Sequence, residues 1–305
     1  MTTAVIKTQG LKKYFGGEQV LQGIDLLIEP GQVVGLIGTN GSGKSTLIKC
    51  LLGLLKRSAG SSCIFGEDSW NLSAQAKARL GYVSQEFAIL PWMKVQATCD
   101  YTGAFYEHWD HDYVSQLLTE WQLPREKRVS TLSVGQRQKL AVILAMGHRP
   151  ELLILDEPVA SLDPVARRQF LQSLIEFSSD EKNTILFSTH ITSDLERIAS
   201  HVAFLRQGLL GYCGELDTLK ENCKRLRIHA EAPLTSDLRI PGTIRSEING
   251  PYALVTVTEL HEETLAILSQ QWQAQVTVED LNLEEIFLEM SGFAANTPLI
   301  TGAAP

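Results

Sequence analysis

A glycine-rich segment constrains this chain more than any other stretch of its sequence. It consists of Gly38, Thr39, Asn40, Gly41, Ser42, Gly43, Lys44, Ser45 and Thr46. The apolar residues 33–37 before it predict a buried strand, and residues 47–52 after it predict a helix. Glycines let successive backbone N–H groups curl around an anion, and a helix start adds further unpaired N–H donors. This strand, turn and helix together predict a phosphate-binding site.

Two side chains of the segment suit nucleotide chemistry. Lys44 is placed to reach the outer phosphates of a nucleotide, and the hydroxyl of Ser45 is placed to bind Mg²⁺. The alternative is a glycine-rich turn that binds no ligand. The lysine and the serine at these offsets, with a strand in front of them, favour the phosphate site.

Length and composition limit the class of protein. The chain has 305 residues, enough for one large domain and a small one. Its net charge of −8 gives no bulk attraction to a phosphate backbone, so we expect no nucleic-acid partner. The five scattered cysteines lack metal-ligand spacing and are expected to be reduced thiols. No apolar run approaches the ~20 residues of a membrane span, so a membrane role would need another chain.

A second apolar run ends in two carboxylates. Residues 151–157 are typical of a central parallel strand, and they finish at Asp156 and Glu157. The carboxyl ends of strands are where α/β sheets place their sites. We expect Asp156 to bind Mg²⁺, directly or through water, and Glu157 to orient and polarise an attacking water. A surface acidic pair is the alternative, which the phosphate-binding segment disfavours.

Several single residues are ambiguous when taken alone. The ring of Tyr14 could stack on a nucleobase or pack in the core. Gln85, at the end of a predicted strand, could contact Mg²⁺ or its water, or be a surface amide. Ser133 suits a helix cap or a phosphate contact, and His190 suits a γ-phosphate contact or a structural role. Asp163 is expected to cap a helix that starts with a proline.

Residues 86–130 differ from their surroundings because they are rich in aromatic side chains. These are Phe87, Trp92, Tyr101, Phe105, Tyr106, Trp109, Tyr113 and Trp121. The span predicts helices interrupted at Pro91 and Pro124. The rings either fill the core of a helical subdomain or line a groove for a partner helix.

The remaining segments predict short elements. Strands are expected at residues 5–8, 20–22, 25–28, 60–67, 80–85, 184–190, 226–231, 243–248, 252–258 and 276–278. Helices are expected at residues 137–146, along a stripe from Leu260 to Leu268, and at residues 282–290. Asn282 and Glu285 form a possible capping box. Residues 217–292 therefore predict a small α+β module, and the tail 293–305 is expected to be disordered.

Taken in order, these motifs resemble those of the ATP-binding subunit of an ABC transporter. The similar segments are Gly38–Thr46 (Walker A loop), Gln85 (Q-loop), Leu132–Gln136 (signature motif), Leu152–Glu157 (Walker B with the catalytic glutamate), Ser161–Asp163 (D-loop) and His190 (switch histidine). Tyr14 falls where the family stacks an aromatic ring on adenine. Six motifs in the family's order make a specific pattern over residues 4–216.

The resemblance implies a fold and an activity. The fold would be an α/β P-loop NTPase domain over residues 1–216, with a mixed sheet, an antiparallel β subdomain and a helical subdomain at about residues 86–135. The activity would be ATP hydrolysis. The implied catalytic residues are Glu157, His190 and Gln85, and the implied Mg²⁺ ligands are Ser45, Gln85 and Asp156.

The resemblance also implies partners. Each ATP site would be completed by Ser133, Gly135 and Gln136 of a second ATPase subunit, identical or related. A separate membrane permease would hold the protein at the cytoplasmic face of the cell membrane. Residues 188–197 and 279–292 look like those of bacterial multidrug- and antibiotic-export ATPases, which implies export. The alternative is a soluble ABC-type ATPase that regulates a partner outside transport.

The signature-like segment departs from the family at one position, since Val134 stands where a glycine is usual. A β-branched side chain restricts the backbone, and a positive φ at this position would strain a valine. We therefore expect slower or weaker closure on nucleotide, and we expect Val134→Gly to raise ATP turnover.

Overall fold

The computed structural model describes residues 4–85, 89–159, 162–234, 240–260, 265–266, 269–270, 273–291 and 300–301. The chain divides into two compact units, Met1–Leu210 and Gly211–Pro305. The division lies ahead of the boundary expected after residue 216 and falls within the strand Leu209–Glu215.

The first unit is built from strands and helices that alternate over most of its length. Its strands are β1 (Ile6–Phe15), β2 (Glu18–Ile28), β3 (Val33–Ile37), β4 (Ala59–Ile64), β5 (Glu67–Asp68), β6 (Leu80–Val83), β7 (Leu152–Asp156), β8 (Thr184–Thr189) and β9 (His201–Arg206), and β10 (Leu209–Glu215) leads into the second unit. Its helices are α1 (Lys44–Leu51), α2 (Ala74–Ala78), α3 (Val95–Gly103), α4 (His111–Glu120), α5 (Val134–Met146), α6 (Pro164–Ser178) and α7 (Thr192–Ile198).

A parallel sheet in the order β9-β3-β8-β7-β6 forms the centre of this unit. Strands β3, β7 and β8 are buried at every residue, which explains their near-continuous apolar sequences. Because these strands are parallel, their carboxyl ends meet at one edge of the sheet. The glycine-rich segment, Glu157 and His190 all follow directly at that edge.

An antiparallel sheet, β2-β1-β4-β5, accompanies the parallel one. The separate short strands expected between residues 5 and 28 are wrong, since they join into two long strands around the turn at Gly16–Gly17. A register shift between Thr8 and Leu11, with Gly10 at φ 55°, lets β1 continue through a bulge. The sheets and helices together confirm the α/β class of fold.

The aromatic span contains two helices, α3 and α4, and α5 follows it. Trp121 and Leu118 are buried, so part of the apolar content forms a core as one of the two interpretations predicted. Helix α5 begins at Val134, three residues earlier than the expected start at Arg137, because Ser133 caps it. Phe87 lies outside the described residues.

The second unit contains a four-stranded antiparallel sheet. The described elements of this unit are α8 (Leu216–Asn222), β11 (Lys224–Ala230), β12 (Thr243–Asn249), β13 (Tyr252–Val257), β14 (Ala274–Asp280), α9 (Leu283–Ser291) and β15 (Ile300–Thr301). The strand order is β12-β13-β11-β14, and Leu226, Ile228 and Val255 lie at its core. Asn282 and Glu285 exchange hydrogen bonds of 2.9 and 3.0 Å, which confirms the capping box.

Two predictions for the second unit fall largely on residues that the structure does not describe. Most of the predicted helical stripe, including Thr264, Ile267 and Leu268, lies outside the described residues, as does the tail 293–305 apart from β15. Across the part of the chain that is described, every helix is too short or too polar to cross a membrane.

Candidate active site

The loop between β3 and α1 depends on glycine at three positions. Gly41 and Gly43 have φ of 80° and 107°, in the left-handed region that other residues avoid. A Cβ on Gly38 would lie 2.4 Å from the carbonyl oxygen of Leu205 and 2.4 Å from Oγ of Ser42. The loop therefore brings its backbone close to neighbouring atoms, as a phosphate-binding turn must.

Lys44 begins helix α1 directly after this loop, and its side chain is buried. Its ammonium group donates a hydrogen bond of 2.7 Å to the carbonyl oxygen of Gly38 and lies 3.5 Å from Oε1 of Glu157. The lysine is thus held at the loop mouth between backbone oxygens and a carboxylate. A nucleotide phosphate placed there would be attracted by the positive charge of Lys44.

Glu157 is the first residue after β7, and its backbone is unusual. Its φ of 51° is left-handed, which costs an L-residue about 1–2 kcal/mol and has to be held by its surroundings. Its Oε2 lies 2.9 Å from Nδ1 of the half-exposed His190. The carboxylate therefore bridges the lysine of the glycine-rich loop and the histidine after β8.

A cavity of about 460 Å³ joins these groups. It is lined by Val20, Thr39, Asn40, Gly41, Ser42, Gly43, Lys44, Ser45, Thr46, Gln85, Glu157 and His190. The loop residues, Gln85, Glu157 and His190 thus meet at one site although they come from four segments of the chain. The volume falls in the range of about 300–1,000 Å³ that is usual for small-ligand sites.

The predicted metal ligands offer only oxygen donors. Ser45 and Gln85 line the cavity, and the buried Asp156 lies directly before Glu157. A hydroxyl, an amide oxygen and a carboxylate are the donors that Mg²⁺ prefers, so the residues present fit this ion. When bound, the ion would neutralise charge on the phosphates.

The signature-like segment lies apart from the cavity. Ser133 caps α5, since its Oγ accepts a hydrogen bond of 3.2 Å from the backbone N–H of Gln136, while Oε1 of Gln136 accepts one of 3.1 Å from the N–H of Ser133. Ser133 is exposed and Gly135 is half-buried. None of residues 133–136 is among the described residues that line the cavity.

The expectation of a strained Val134 is wrong. This residue is the first of helix α5, so its backbone is helical, and it is absent from the described non-glycine residues with positive φ. Its side chain is 51% exposed and therefore has room. The structure thus removes the physical reason to expect that Val134→Gly raises ATP turnover.

Asp163 and Tyr14 also lie outside the cavity lining. Asp163 caps α6, and the N–H groups of Val165 and Ala166 each donate to its Oδ1 at 3.0 Å. The bond from Ala166 is the main reason that the pKa of Asp163 is lowered. Tyr14 is exposed near the end of β1, two residues before the hairpin turn. Ser161 lies outside the described residues.

The aromatic side chains of the span 86–130 fall into two groups. Trp121 is buried, and Tyr106 stacks on His148 with ring centroids 4.0 Å apart. Trp92, Tyr101 and Phe105 are exposed, at 66%, 50% and 72%. The core interpretation is therefore confirmed for Trp121, while a groove for a partner helix stays a prediction.

Sequence reasoning did not find one buried side chain at the site, that of Ser188 near the end of β8. Its hydroxyl contacts both carboxylate residues, Asp156 and Glu157. The signal that could have found it is its position two residues before His190, in a predicted buried strand that ends at the site. Strand order, which the sequence does not show, was needed to use that signal.

Comparison with known proteins places this site in a family. The ABC transporter family profile matches residues 21–160, which include the glycine-rich loop, Gln85, the signature-like segment and both carboxylates. A solved structure described as the ATP-binding subunit of an ABC transporter superposes with a TM-score of 0.65 at 26% identity. That similarity covers 71% of this chain and 92% of the other.

Three relatives match over different lengths. The Nod factor export ATP-binding protein I of Cupriavidus metallidurans is 31% identical over 95% of this chain and 98% of its own length. The ABC transporter ATP-binding protein YtrB of Bacillus subtilis is 26% identical over 94% and 98%. The phosphonates import ATP-binding protein PhnC of Alcaligenes faecalis is 32% identical over 67% and 80%. The chain therefore belongs to the ATP-binding subunits of ABC transporters, and it is an ATPase.

Proposed function

We propose that this ATPase powers export through a separate membrane permease. The direction of transport is inferred from how much of the chain each relative matches. The relative named for Nod factor export aligns with 95% of the chain, so it covers the C-terminal module, whereas the one named for phosphonate import aligns with 67%. In this proposal the protein acts at the cytoplasmic face of the membrane, where the permease holds it.

The active unit in this proposal is a pair of ATPase subunits. The cavity is lined by the phosphate-binding loop, Gln85, Glu157 and His190, while the exposed start of α5 contributes nothing to it. A helix start with an exposed serine is a suitable anion contact. A second subunit that presents its own Ser133, Gly135 and Gln136 would therefore complete the site, and ATP would hold the pair together.

The predicted site residues then have distinct roles in hydrolysis. The loop N–H groups and Lys44 hold the β- and γ-phosphates, while Ser45, Gln85 and Asp156 would hold Mg²⁺. Glu157 orients the attacking water and polarises it. His190, 2.9 Å from the carboxylate, keeps Glu157 directed at the γ-phosphate. The ring of Tyr14 stacks on the adenine in this scheme.

The permease in turn needs a contact surface on the ATPase. A groove of about 380 Å³ lies between β6, α3 and α5, and Tyr82, Tyr106 and Leu144 are among its lining residues. An open groove with an apolar wall suits a short helix from a partner. Its nearness to Gln85, which follows β6, would connect the permease to the ATP site.

The test starts from Glu157→Gln, which keeps the size of the side chain but removes its charge. We expect this variant to bind ATP, to lose hydrolysis and to elute as a dimer only when ATP is present. A variant that hydrolyses ATP at the wild-type rate would rule out the role given to Glu157. A variant that stays monomeric with ATP would instead rule out the paired site.

The direction of transport needs a second experiment. The complex that co-purifies with the tagged chain would be reconstituted in vesicles with the ATPase outside. ATP-dependent accumulation of substrate inside these vesicles corresponds to export and supports the proposal, and ATP-dependent loss from preloaded vesicles contradicts it. Purification without any membrane protein would favour the alternative of an ATPase that regulates a partner outside transport.

A further inference from the structure

Ser188 occupies a central position next to the proposed catalytic carboxylate. It lies on β8 directly opposite Asp156 of the parallel strand β7, and it is fully buried. Its hydroxyl donates a hydrogen bond of 2.6 Å to Oδ1 of Asp156. This distance is typical of an O–H group bound to a carboxylate, about 2.5–2.7 Å, and such bonds are among the stronger ones in proteins.

The same residue also holds the backbone of Glu157. The N–H of Glu157 is 3.1 Å from Oγ of Ser188 and 3.1 Å from its carbonyl oxygen, so one donor is shared between two acceptors of a single residue. Glu157 has a left-handed φ of 51°, which persists only where neighbouring contacts fix it. Ser188 supplies those contacts at the N–H next to the strained angle.

We propose that Ser188 is a positioning residue for ATP hydrolysis, which sets the metal-directed carboxylate of Asp156 and the water-directed carboxylate of Glu157 in one fixed arrangement. The proposal rests on the roles given above to these two acids. It concerns the chemical step and not nucleotide binding, because Ser188 is buried and is not among the residues that line the cavity.

The principal variant is Ser188→Ala, which removes the hydroxyl and keeps the backbone contact. We expect kcat to fall about tenfold, the factor for losing one hydrogen bond to a charged group, while KM and the calorimetric Kd for ATP change less than about twofold. Ser188→Thr keeps the hydroxyl and is expected to keep most of kcat. Ser188→Cys, with a weak donor of similar size, is expected to lie between serine and alanine, and it serves as the probe if the alanine variant does not fold.

Thr184→Val is the matched control. Thr184 is also fully buried on β8, and its hydroxyl oxygen accepts a hydrogen bond of 3.1 Å from the N–H of Gly31, at the far end of the strand from the site. This control is expected to lower Tm and to leave kcat unchanged. If both variants lost Tm and kcat in parallel, or if Ser188→Ala kept wild-type kcat, Ser188 would have only a structural role.

A double variant tests the route through Glu157. Since Ser188 acts partly by placing Glu157 and partly through Asp156, Ser188→Ala is expected to add less than its own tenfold loss of rate in a Glu157→Gln background. An additional tenfold loss in that background would overturn the proposal. Full activity of Glu157→Gln would overturn the proposed role of Glu157 itself, whereas an inactive Glu157→Gln together with a fully active Ser188→Ala would overturn the inference about Ser188 alone.

Discussion

The left-handed backbone of Glu157 leads to a prediction that separates stability from activity. Both Glu157→Ala and Glu157→Gly remove the contacts with Lys44 and His190, so those losses cancel when the two variants are compared. What differs is the response to φ 51°, a conformation that strains alanine but not glycine. We therefore expect the glycine variant to be the more stable of the two.

The size of the difference follows from two opposing effects. A left-handed conformation costs an L-residue about 1–2 kcal/mol, and the extra freedom of glycine in the unfolded chain costs about 0.5–1 kcal/mol. Subtracting the middles of these two ranges leaves a net advantage of about 0.5–1 kcal/mol for Glu157→Gly. For a unit of this size, each kcal/mol shifts Tm by about 2–4 °C, so the two variants are expected to differ by about 1–4 °C.

Thermal unfolding followed by circular dichroism measures this difference, and an ATPase assay is expected to show that both variants are inactive. Glu176, exposed on helix α6, provides the control, since there glycine is expected to be less stable than alanine by about 1 kcal/mol. Equal stability of the two variants at position 157, or a more stable alanine, would refute the claim that this backbone is strained.

Three further predictions concern other parts of the first unit. Tyr14→Ala is expected to raise KM for ATP about tenfold, the loss of one ring stacked on a base, while Tyr14→Phe stays within about twofold; equal KM values would remove the stacking role. Gly147→Ala places a methyl 2.4 Å from a ring carbon of Trp109 and is expected to cost about 1–3 kcal/mol in urea unfolding, so an unchanged midpoint would contradict it. Burial lowers the pKa of His148 from 6.5 to about 4, so between these values the unfolded chain binds a proton that the folded chain does not. Stability is therefore expected to fall as pH drops from about 6.5 to about 4, by up to about 3 kcal/mol, and His148→Gln should flatten this slope.

Most residues of the candidate site were predictable because each follows a recognisable local pattern. A strand, a glycine-rich turn and a helix identify the loop, and an apolar run that ends in acids identifies Asp156 and Glu157. Parallel strands bring their carboxyl ends to one edge, so these local patterns converge in space. The glycine-rich loop, Gln85, Glu157 and His190 line one cavity, as the motifs found along the chain led us to expect.

Other features depend on tertiary contacts that a linear pattern does not contain. The strands expected at residues 20–22 and 25–28 become the single strand β2, and cross-strand pairing with β1 decides that outcome. The positive φ of Glu157 occurs where its N–H is bound by Ser188, which belongs to a strand 31 residues further along. The Val134 expectation failed because it assigned a backbone angle by position within a motif, whereas the helix start at this residue determines the angle.

The cap at the start of α5 has one more consequence. In that cap the Ser133 oxygen acts as an acceptor, for the N–H of Gln136, so the contact uses a lone pair and leaves the hydroxyl proton for another acceptor. The hydroxyl group of Ser133 can therefore cap its own helix and, at the same time, donate a hydrogen bond to an anion bound by a different molecule. Aspartate at this position would still cap the helix, because a carboxylate accepts the same hydrogen bond. It would disfavour binding of an anion, because its negative charge repels the anion.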